Sequence, residues 1–188
     1  GVKYNIIGET CTMCSGHNPA AKYDGTTYTV INGTGAPTAP KYAEEFRNRL
    51  VLAQGQSIFL SAPYDDTDFT AASGAIELST SDEVRGIKTF RDTLYIFGKN
   101  SLHKLSGTSS ADFVVTSVSN SFGCLSADSI QEVGNDMLFL SNGGIKSIGK
   151  LLEEKSVPFS DVSKNIKDYV ISLVDSEANH SYIKSTYS

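Results

Sequence analysis

A short segment, Arg47-Asn48-Arg49-Leu50-Val51-Leu52, returns in recognisable form twice along the chain. Its counterparts are Arg91-Asp92-Thr93-Leu94-Tyr95-Ile96 and Asn135-Asp136-Met137-Leu138-Phe139-Leu140. The leucine in the fourth position of each segment recurs every 44 residues, and one further step back reaches Ile6. A period of about 40–45 residues that contains several strands is the length of one β-propeller blade. The repeat therefore predicts an all-β, propeller-like fold.

Within one period, short apolar runs alternate with turn-forming residues. The second full unit contains Val84–Phe90, Leu94–Phe97, Leu102–Leu105 and Phe113–Val118, separated by segments rich in Asp, Gly, Asn and Ser. Runs of this length and composition predict four strands joined by tight turns, which make one antiparallel blade of about 44 residues. We place the full blades at about 40–80, 84–119 and 128–158.

The N-terminal unit, 1–31, is predicted to be a partial blade. We assign Ile6-Ile7 to its second strand, Ala20–Tyr23 to its third and Thr26–Ile31 to its fourth. The innermost strand is then missing or supplied from elsewhere. Residues 32–40 are too rich in Gly and Pro to be helical and form a connector.

The C-terminal part departs from the strand pattern. Ile166, Tyr169, Val170 and Leu173 share one helical face, so we predict a short helix over 161–173, laid against the propeller or a neighbour. Residues 180–188 resemble the opening of a further strand. We treat 1–188 as one propeller-like domain. The partial units at both ends favour a section of a larger propeller, and the alternative is that several chains complete each other's blades.

Composition narrows the function classes. The net charge of −5 provides no basic surface, which argues against sequence-specific nucleic-acid binding. Three cysteines do not make a disulfide framework, and no apolar run is long enough to span a membrane.

The blade sequences resemble those of a known family. The segments that carry the resemblance are Phe46–Ala53, Ser57–Ser61, Asp65–Phe69, Ile87–Ser101 and Met137–Ile145. They are similar to propeller blades of bacteriophage tail nozzle (tubular) proteins and related head-to-tail hub proteins. The resemblance implies a virion protein that assembles as a ring around the tail channel and passes the genome during infection. It implies no catalytic residues.

Two local clusters are candidate metal ligands. Cys11, Cys14 and His17 form a C-x-x-C-x-x-H pattern, whose soft ligands suit zinc, while the alternatives are a redox pair and buried structural thiols. The carboxylates of Asp65, Asp66 and Asp68 could attract a hard cation such as calcium, although a solvated loop is the simpler interpretation. We assign neither cluster a metal, and we expect no cofactor.

Catalysis finds little support in the sequence. No G-x-S-x-G elbow and no complete phosphate-binding loop occurs, so we expect no enzyme and name no catalytic residue. Arg47, Arg49 and Arg91 recur with the repeat and are expected to hold neighbouring blades together, or to meet an acidic partner.

The sequence and the resemblance together predict a structural protein of a bacteriophage tail or head–tail connector. Its expected location is the tail or neck of the virion. Its expected partners are other tail or connector proteins and further copies of itself in a ring, with DNA passing through the channel. The alternative is a ligand- or glycan-binding propeller used for adhesion.

Overall fold

A computed structural model describes residues 3–7, 10–154, 162–180 and 183–186. These residues form four antiparallel sheets in which strand order follows the chain, together with two short α-helices. The prediction of an all-β, propeller-like fold is confirmed.

The four sheets are named in chain order. Sheet 1 contains β1 Lys3–Ile7, β2 Thr10–Cys14, β3 Ala20–Tyr23 and β4 Tyr28–Ile31. Sheet 2 contains β5 Tyr42–Glu45, β6 Leu50–Gln54, β7 Ser57–Leu60 and β8 Ile76–Ser79. Sheet 3 contains β9 Val84–Phe90, β10 Thr93–Gly98, β11 Leu102–Ser106 and β12 Val114–Ser119. Sheet 4 contains β13 Gln131–Val133, β14 Asp136–Ser141 and β15 Gly144–Ser147.

The hydrophobic core lies between the sheets. Alternate side chains of a strand point to opposite faces, so one central strand can serve two cores. Leu94 and Ile96 of β10 belong to the core between sheets 2 and 3. On the other face of the same strand, Phe97 packs against Phe139 of sheet 4 with ring centroids 5.0 Å apart. Burial on both faces explains why the central strands are continuous apolar runs rather than alternating ones.

The first strands of consecutive sheets are neighbours. β5 contacts β1 of the preceding sheet and β9 of the following one. Among the described strands, contacts of similar extent between the fourth strands β4, β8 and β12 are lacking. The sheets therefore converge at their first strands, which is the radial arrangement of propeller blades.

The 44-residue interval does not hold for the last sheet. The turn before β10 lies between the paired residues Phe90 and Thr93, and the turn before β14 lies between Val133 and Asp136. The second turn comes one residue earlier than the repeat requires. Met137 therefore takes the structural place of Leu94, and Leu138 faces the opposite side of its sheet, because a one-residue shift exchanges the two faces of a strand.

The assignment of the N-terminal strands was wrong. Ile6 and Ile7 lie in β1, the first strand, and pair with Cys11 and Thr10 of β2. The cysteine-containing segment, to which the sequence analysis assigned no strand, is the second strand. Cysteine and methionine act as small apolar residues there, with Cys14 buried against sheet 2. Sheet 1 thus has four strands, including an innermost one.

The C-terminal predictions need three corrections. Sheet 4 has three described strands, and the chain passes from β15 directly into helix α1, Ile148–Glu154. The predicted helix over 161–173 begins later, as a 3₁₀ turn at Lys164–Ile166 and helix α2 at Lys167–Ser176, while residue 161 lies outside the described part. Residues 183–186 are not a strand, and the rest of the predicted strand at 181, 182, 187 and 188 lies outside the described residues.

Candidate functional site

The turns between the first and second strands carry two of the candidate arginines. Arg47 and Asn48 both have positive φ, 53° and 56°, as do Arg91 and Asp92, 47° and 57°. Positive φ at both central residues marks a type I′ turn, whose twist matches that of the adjoining strands. Sheets 2 and 3 are therefore tightly closed at this end, and the first residue of each turn is exposed.

These two arginines reach the turn of the following sheet. Arg47 Nη2 lies 3.5 Å from the carbonyl oxygen of Asp92. Arg91 Nη2 donates to the carbonyl oxygen of Asn135, which lies 44 positions further along the chain. The same contact thus links sheet 2 to sheet 3 and sheet 3 to sheet 4. The prediction that the recurring arginines hold neighbouring blades together agrees with this arrangement.

Arg49 makes a different inter-sheet contact. Its side chain is buried, and Nη1 donates to the carbonyl oxygens of Ser61 and Gly74, the latter at 2.7 Å. The guanidinium lies over the ring of Phe113, the residue just before β12 of sheet 3, 5.5 Å from the centroid. Burial lowers the pKa of Arg49, yet an arginine stays charged in proteins. The charge therefore joins sheets 2 and 3 through carbonyls and an aromatic face.

The innermost strands carry a set of ion pairs that the sequence analysis missed. Lys88 of β9 lies 3.7 Å from Glu44 of β5 and 3.8 Å from Glu132 of β13. The three residues are spaced by the 44-residue interval, so a search for opposite charges at that interval could have found them. The Lys88–Glu132 pair is exposed, and such pairs stabilise a protein by less than about 1 kcal/mol, whereas the Glu44 side chain is only 12% exposed. One lysine between two glutamates leaves a single net negative charge on the three residues together.

The cysteine and histidine candidates do not converge. Cys11 and Cys14 both lie in β2, three residues apart, and so point to opposite faces of sheet 1. Cys14 is buried in the core with sheet 2, where burial raises the pKa of its thiol to about 12. His17 is exposed in the following loop. This geometry disagrees with a zinc site or a redox pair built on the C-x-x-C spacing.

The aspartates of the loop after β7 have protein partners of their own. Asp65 Oδ1 accepts hydrogen bonds from the backbone and hydroxyl of Thr67 at 3.0 and 2.7 Å. Asp68 Oδ1 accepts one from the backbone N–H of Thr70 at 2.7 Å. Asp66 forms an ion pair with Lys22 of sheet 1, again 44 residues away. The loop therefore fastens sheet 2 to sheet 1. Among the residues that the structure describes, no three His, Cys, Asp or Glu side chains are grouped to hold a metal ion.

A comparison of the sequence against family models agrees with this architecture of four sheets that converge at their first strands and are joined by recurring polar contacts. The model of the bacteriophage P22 Gp10 β-propeller matches residues 10–182. The chain belongs to this family. Membership in the P22 Gp10 β-propeller family makes it a bacteriophage virion protein of a structural kind, as the resemblance implied.

Solved structures show the fold of this chain in other proteins. It is similar to the extracellular domain of a putative one-component system from B. thetaiotaomicron, with a TM-score of 0.58 and 13% identity. It is also similar to the extracellular domain of a putative hybrid two-component system from the same organism, with a TM-score of 0.58 and 15% identity. Each match covers 78% of this chain and 20% of the other, so the chain spans about a fifth of those structures. At this identity the likeness concerns the fold alone.

No curated protein matches the chain. Neither of the helices in the described part of the chain has the length and apolar character needed to cross a bilayer.

Proposed function

We propose that the chain is a structural component of a bacteriophage tail or head–tail connector, and that it contributes its sheets to a ring around the DNA channel. The observation that carries this proposal is the match to the P22 Gp10 β-propeller family over most of the described sheets. The convergence of the first strands supports it, because blades that radiate from a centre leave an opening along their common axis.

The contacts between sheets suit a mechanical role. The turn arginines, the buried Arg49 and the Lys22–Asp66 pair each join one sheet to the next. Added to the apolar cores, these polar contacts resist rotation of one sheet against its neighbour. A stiff assembly of this kind maintains the diameter of a channel while the genome passes through it.

The charges of the innermost strands suit the passage of DNA without retention. DNA binds proteins chiefly through lysine and arginine contacts to phosphates. Lys88 is flanked by Glu44 and Glu132. The whole chain carries a net charge of −5. A channel wall formed by these strands would therefore bind DNA weakly and without regard to sequence.

The remaining parts of the proposal concern location, partners and activity. We place the protein in the tail or neck of the virion, in contact with other tail or connector proteins and with further copies of itself in a ring. The described sheets act there as one domain, and the protein performs no catalysis.

Immunogold electron microscopy of the source phage tests this proposal. Antibodies raised against the chain should label intact particles at one fixed position on the tail or neck. Purified particles that stay unlabelled, while the protein remains free in the lysate, would contradict a virion role. Saturable binding of the isolated protein to one glycan on an array would then favour the adhesion alternative.

A further inference from the structure

His103 is a buried histidine between sheets 2 and 3. It lies in β11, where the strand register places it in one row with Ile96 of β10 and Ser117 of β12. Ile96 belongs to the core between sheets 2 and 3, so the imidazole points to the same side. His103 is 6% exposed. A side chain whose charge ordinarily changes near neutral pH therefore lies inside this junction.

The two ring nitrogens of His103 have unequal partners. Nε2 lies 3.3 Å from the hydroxyl oxygen of Ser81. Nδ1 is buried and has no hydrogen-bond partner among the residues that the structure describes. A neutral imidazole suits this arrangement, because it carries one N–H, which Nε2 can donate to Ser81. An imidazolium carries an N–H on both nitrogens, so protonation leaves a charged donor buried without an acceptor.

Ser81 belongs to the segment that leads from β8 of sheet 2 to β9 of sheet 3, and we call residues 80–83 the connecting loop. Asp82 of this loop contacts the turn between β10 and β11. Its Oδ2 accepts the backbone N–H of Asn100 and, at 3.3 Å, the hydroxyl of Ser101. The connecting loop is therefore joined to sheet 3 through two consecutive side chains.

The charged side chain that acts on His103 belongs to the same loop. Burial lowers the pKa of His103, and the negative charge of Asp82 opposes this effect in part. Glu83 is exposed and lies 3.3 Å from Arg85 of β9, with which it forms an ion pair. Lys104 follows His103 in β11 and so lies on the opposite face of sheet 3.

The strands around His103 present uncharged side chains to this side of the sheet. These side chains are Leu94, Ile96, Val115 and Ser117 of sheet 3, and Ile76 and Leu78 of sheet 2. Glu77 lies between the last two in β8 and therefore on the other face of its sheet. The carboxylate of Asp82 is thus the acceptor toward which an imidazolium at this position can turn.

We propose that His103 and the connecting loop form a pH-sensitive switch between sheets 2 and 3, which opens when the imidazole takes up a proton. Both oxygens of Asp82 already accept hydrogen bonds, Oδ1 from the backbone of Glu83 at 2.8 Å and Oδ2 from the turn. Asp82 can accept from the imidazolium only by releasing the turn. At neutral pH the loop holds sheet 3, and at acid pH this contact is lost and the two sheets gain freedom to rotate. The switch goes beyond the proposed virion role and does not depend on it.

An NMR titration of the purified chain from about pH 5 to 8 tests the switch. The chain contains three histidines, His17, His103 and His180, so single substitutions assign their ring signals. The ring of His103 should titrate below the ordinary value of 6.5. The backbone amide of Asn100 should change with the same midpoint, because its acceptor on Asp82 is lost. Its protection against hydrogen exchange should fall by about tenfold or more below that midpoint.

Two matched variants assign the effect to one histidine. His103→Gln keeps a hydrogen-bonding group beside Ser81 but cannot take up a proton in this range, so the Asn100 amide should lose its transition. His17→Gln makes the same change at an exposed histidine and should leave the Asn100 transition as it is in the wild type. If His103→Gln lowers the thermal midpoint, the titration of the wild-type protein still decides, because it needs no substitution.

Three results would overturn the switch. The first is a His103 ring that titrates at 6.5 or above, as an imidazole with an acceptor at each nitrogen would. The second is an Asn100 amide that does not respond while His103 titrates. The third is an Asn100 transition that persists in folded His103→Gln. None of these results bears on the labelling of virions, so the switch and the proposed function fail separately.

Discussion

The guanidinium of Arg49 lies between sheets 2 and 3. It donates hydrogen bonds to two carbonyl oxygens and lies over the ring of Phe113. The two hydrogens of Nη1 serve both carbonyls, while the planar face of the guanidinium lies on the ring. Sequence alone grouped Arg49 with Arg47 and Arg91 because all three recur near the repeated leucine. The structure separates them, since only Arg49 is buried among the three.

Replacing Arg49 by lysine should destabilise the protein. An ammonium group keeps the charge but loses the stacking on Phe113, and the lysine side chain is one bond shorter than the arginine side chain up to Nη1, so a buried carbonyl is left without its partner. We expect the free energy of unfolding to fall by about 1–3 kcal/mol in urea titrations. The control is Arg47→Lys, an exposed arginine with one long contact, for which we expect a change within about 0.5 kcal/mol. Equal effects of the two substitutions would contradict the assigned role of Arg49.

The buried thiols make stability depend on alkaline pH. Burial raises the pKa of Cys14 to about 12 and that of Cys124 to about 11, from an ordinary value of 9.0. A group whose pKa is higher in the folded than in the unfolded state stabilises the fold at pH values below its unfolded-state pKa. This contribution is lost as the pH rises through its folded-state pKa. Urea midpoints should therefore be constant from about pH 7 to 8.5 and fall above about pH 9. The double variant Cys14→Ala, Cys124→Ala should show a shallower decline between pH 9 and 10, and an unchanged slope would refute the thiol contribution.

At the scale of the element, helix α1 is the feature that the strand pattern did not predict. Ser147 Oγ accepts a hydrogen bond from the backbone N–H of Lys150 at 3.0 Å, which makes Ser147 the N-cap. Asp136 Oδ1 accepts the N–H of Gly149 at 2.8 Å, and its other oxygen accepts the Ser147 hydroxyl. Asp136 begins β14, so the helix start depends on a residue eleven positions earlier in the chain. No local pattern around residue 148 reveals that contact.

Substituting Asp136 tests how firmly this helix is attached. Asp136→Ala should remove both hydrogen bonds and lower the free energy of unfolding by about 1–2 kcal/mol, the range of a lost helix cap. Amide hydrogen exchange at Gly149 and Lys150 should accelerate more than exchange in β10. The control is Asp65→Ala, which removes a carboxylate that serves only its own loop and should leave α1 unchanged. Unaltered protection at Gly149 in Asp136→Ala would contradict the capping role.

The strands themselves were largely predictable, and their register was not. Apolar runs bounded by turn residues located the strands of sheets 2 and 3 closely. The cysteines of β2 became candidate ligands because their spacing imitates a metal motif, although three residues on a strand separate the side chains onto opposite faces.

At the scale of the whole molecule, stability should vary along the row of sheets. Sheets 2 and 3 have both faces covered by neighbours, whereas sheets 1 and 4 each have one partly open face. In repeated structures each unit is stabilised by its nearest neighbours, so the end units open first. Hydrogen exchange followed by mass spectrometry should show slower exchange in β6 and β10 than in β2 and β14. Uniform protection across the four sheets would indicate that the end faces are covered in solution.

The repeat interval and the apolar runs by themselves determined that this protein is an all-β, propeller-like chain, because strand length and turn composition are local properties. Its net charge of −5 likewise argues, from sequence alone, against recognition of nucleic-acid sequences, and this stays a prediction. Only the tertiary structure decided which side of each strand meets which neighbour. A turn that comes one residue early barely alters the periodicity, yet it moves Leu138 from the covered face to the open one. The tertiary structure also decided the partners of three side chains, those of Arg49, Asp66 and Asp136. Each contact joins positions that are brought together only by the stacking or pairing of strands.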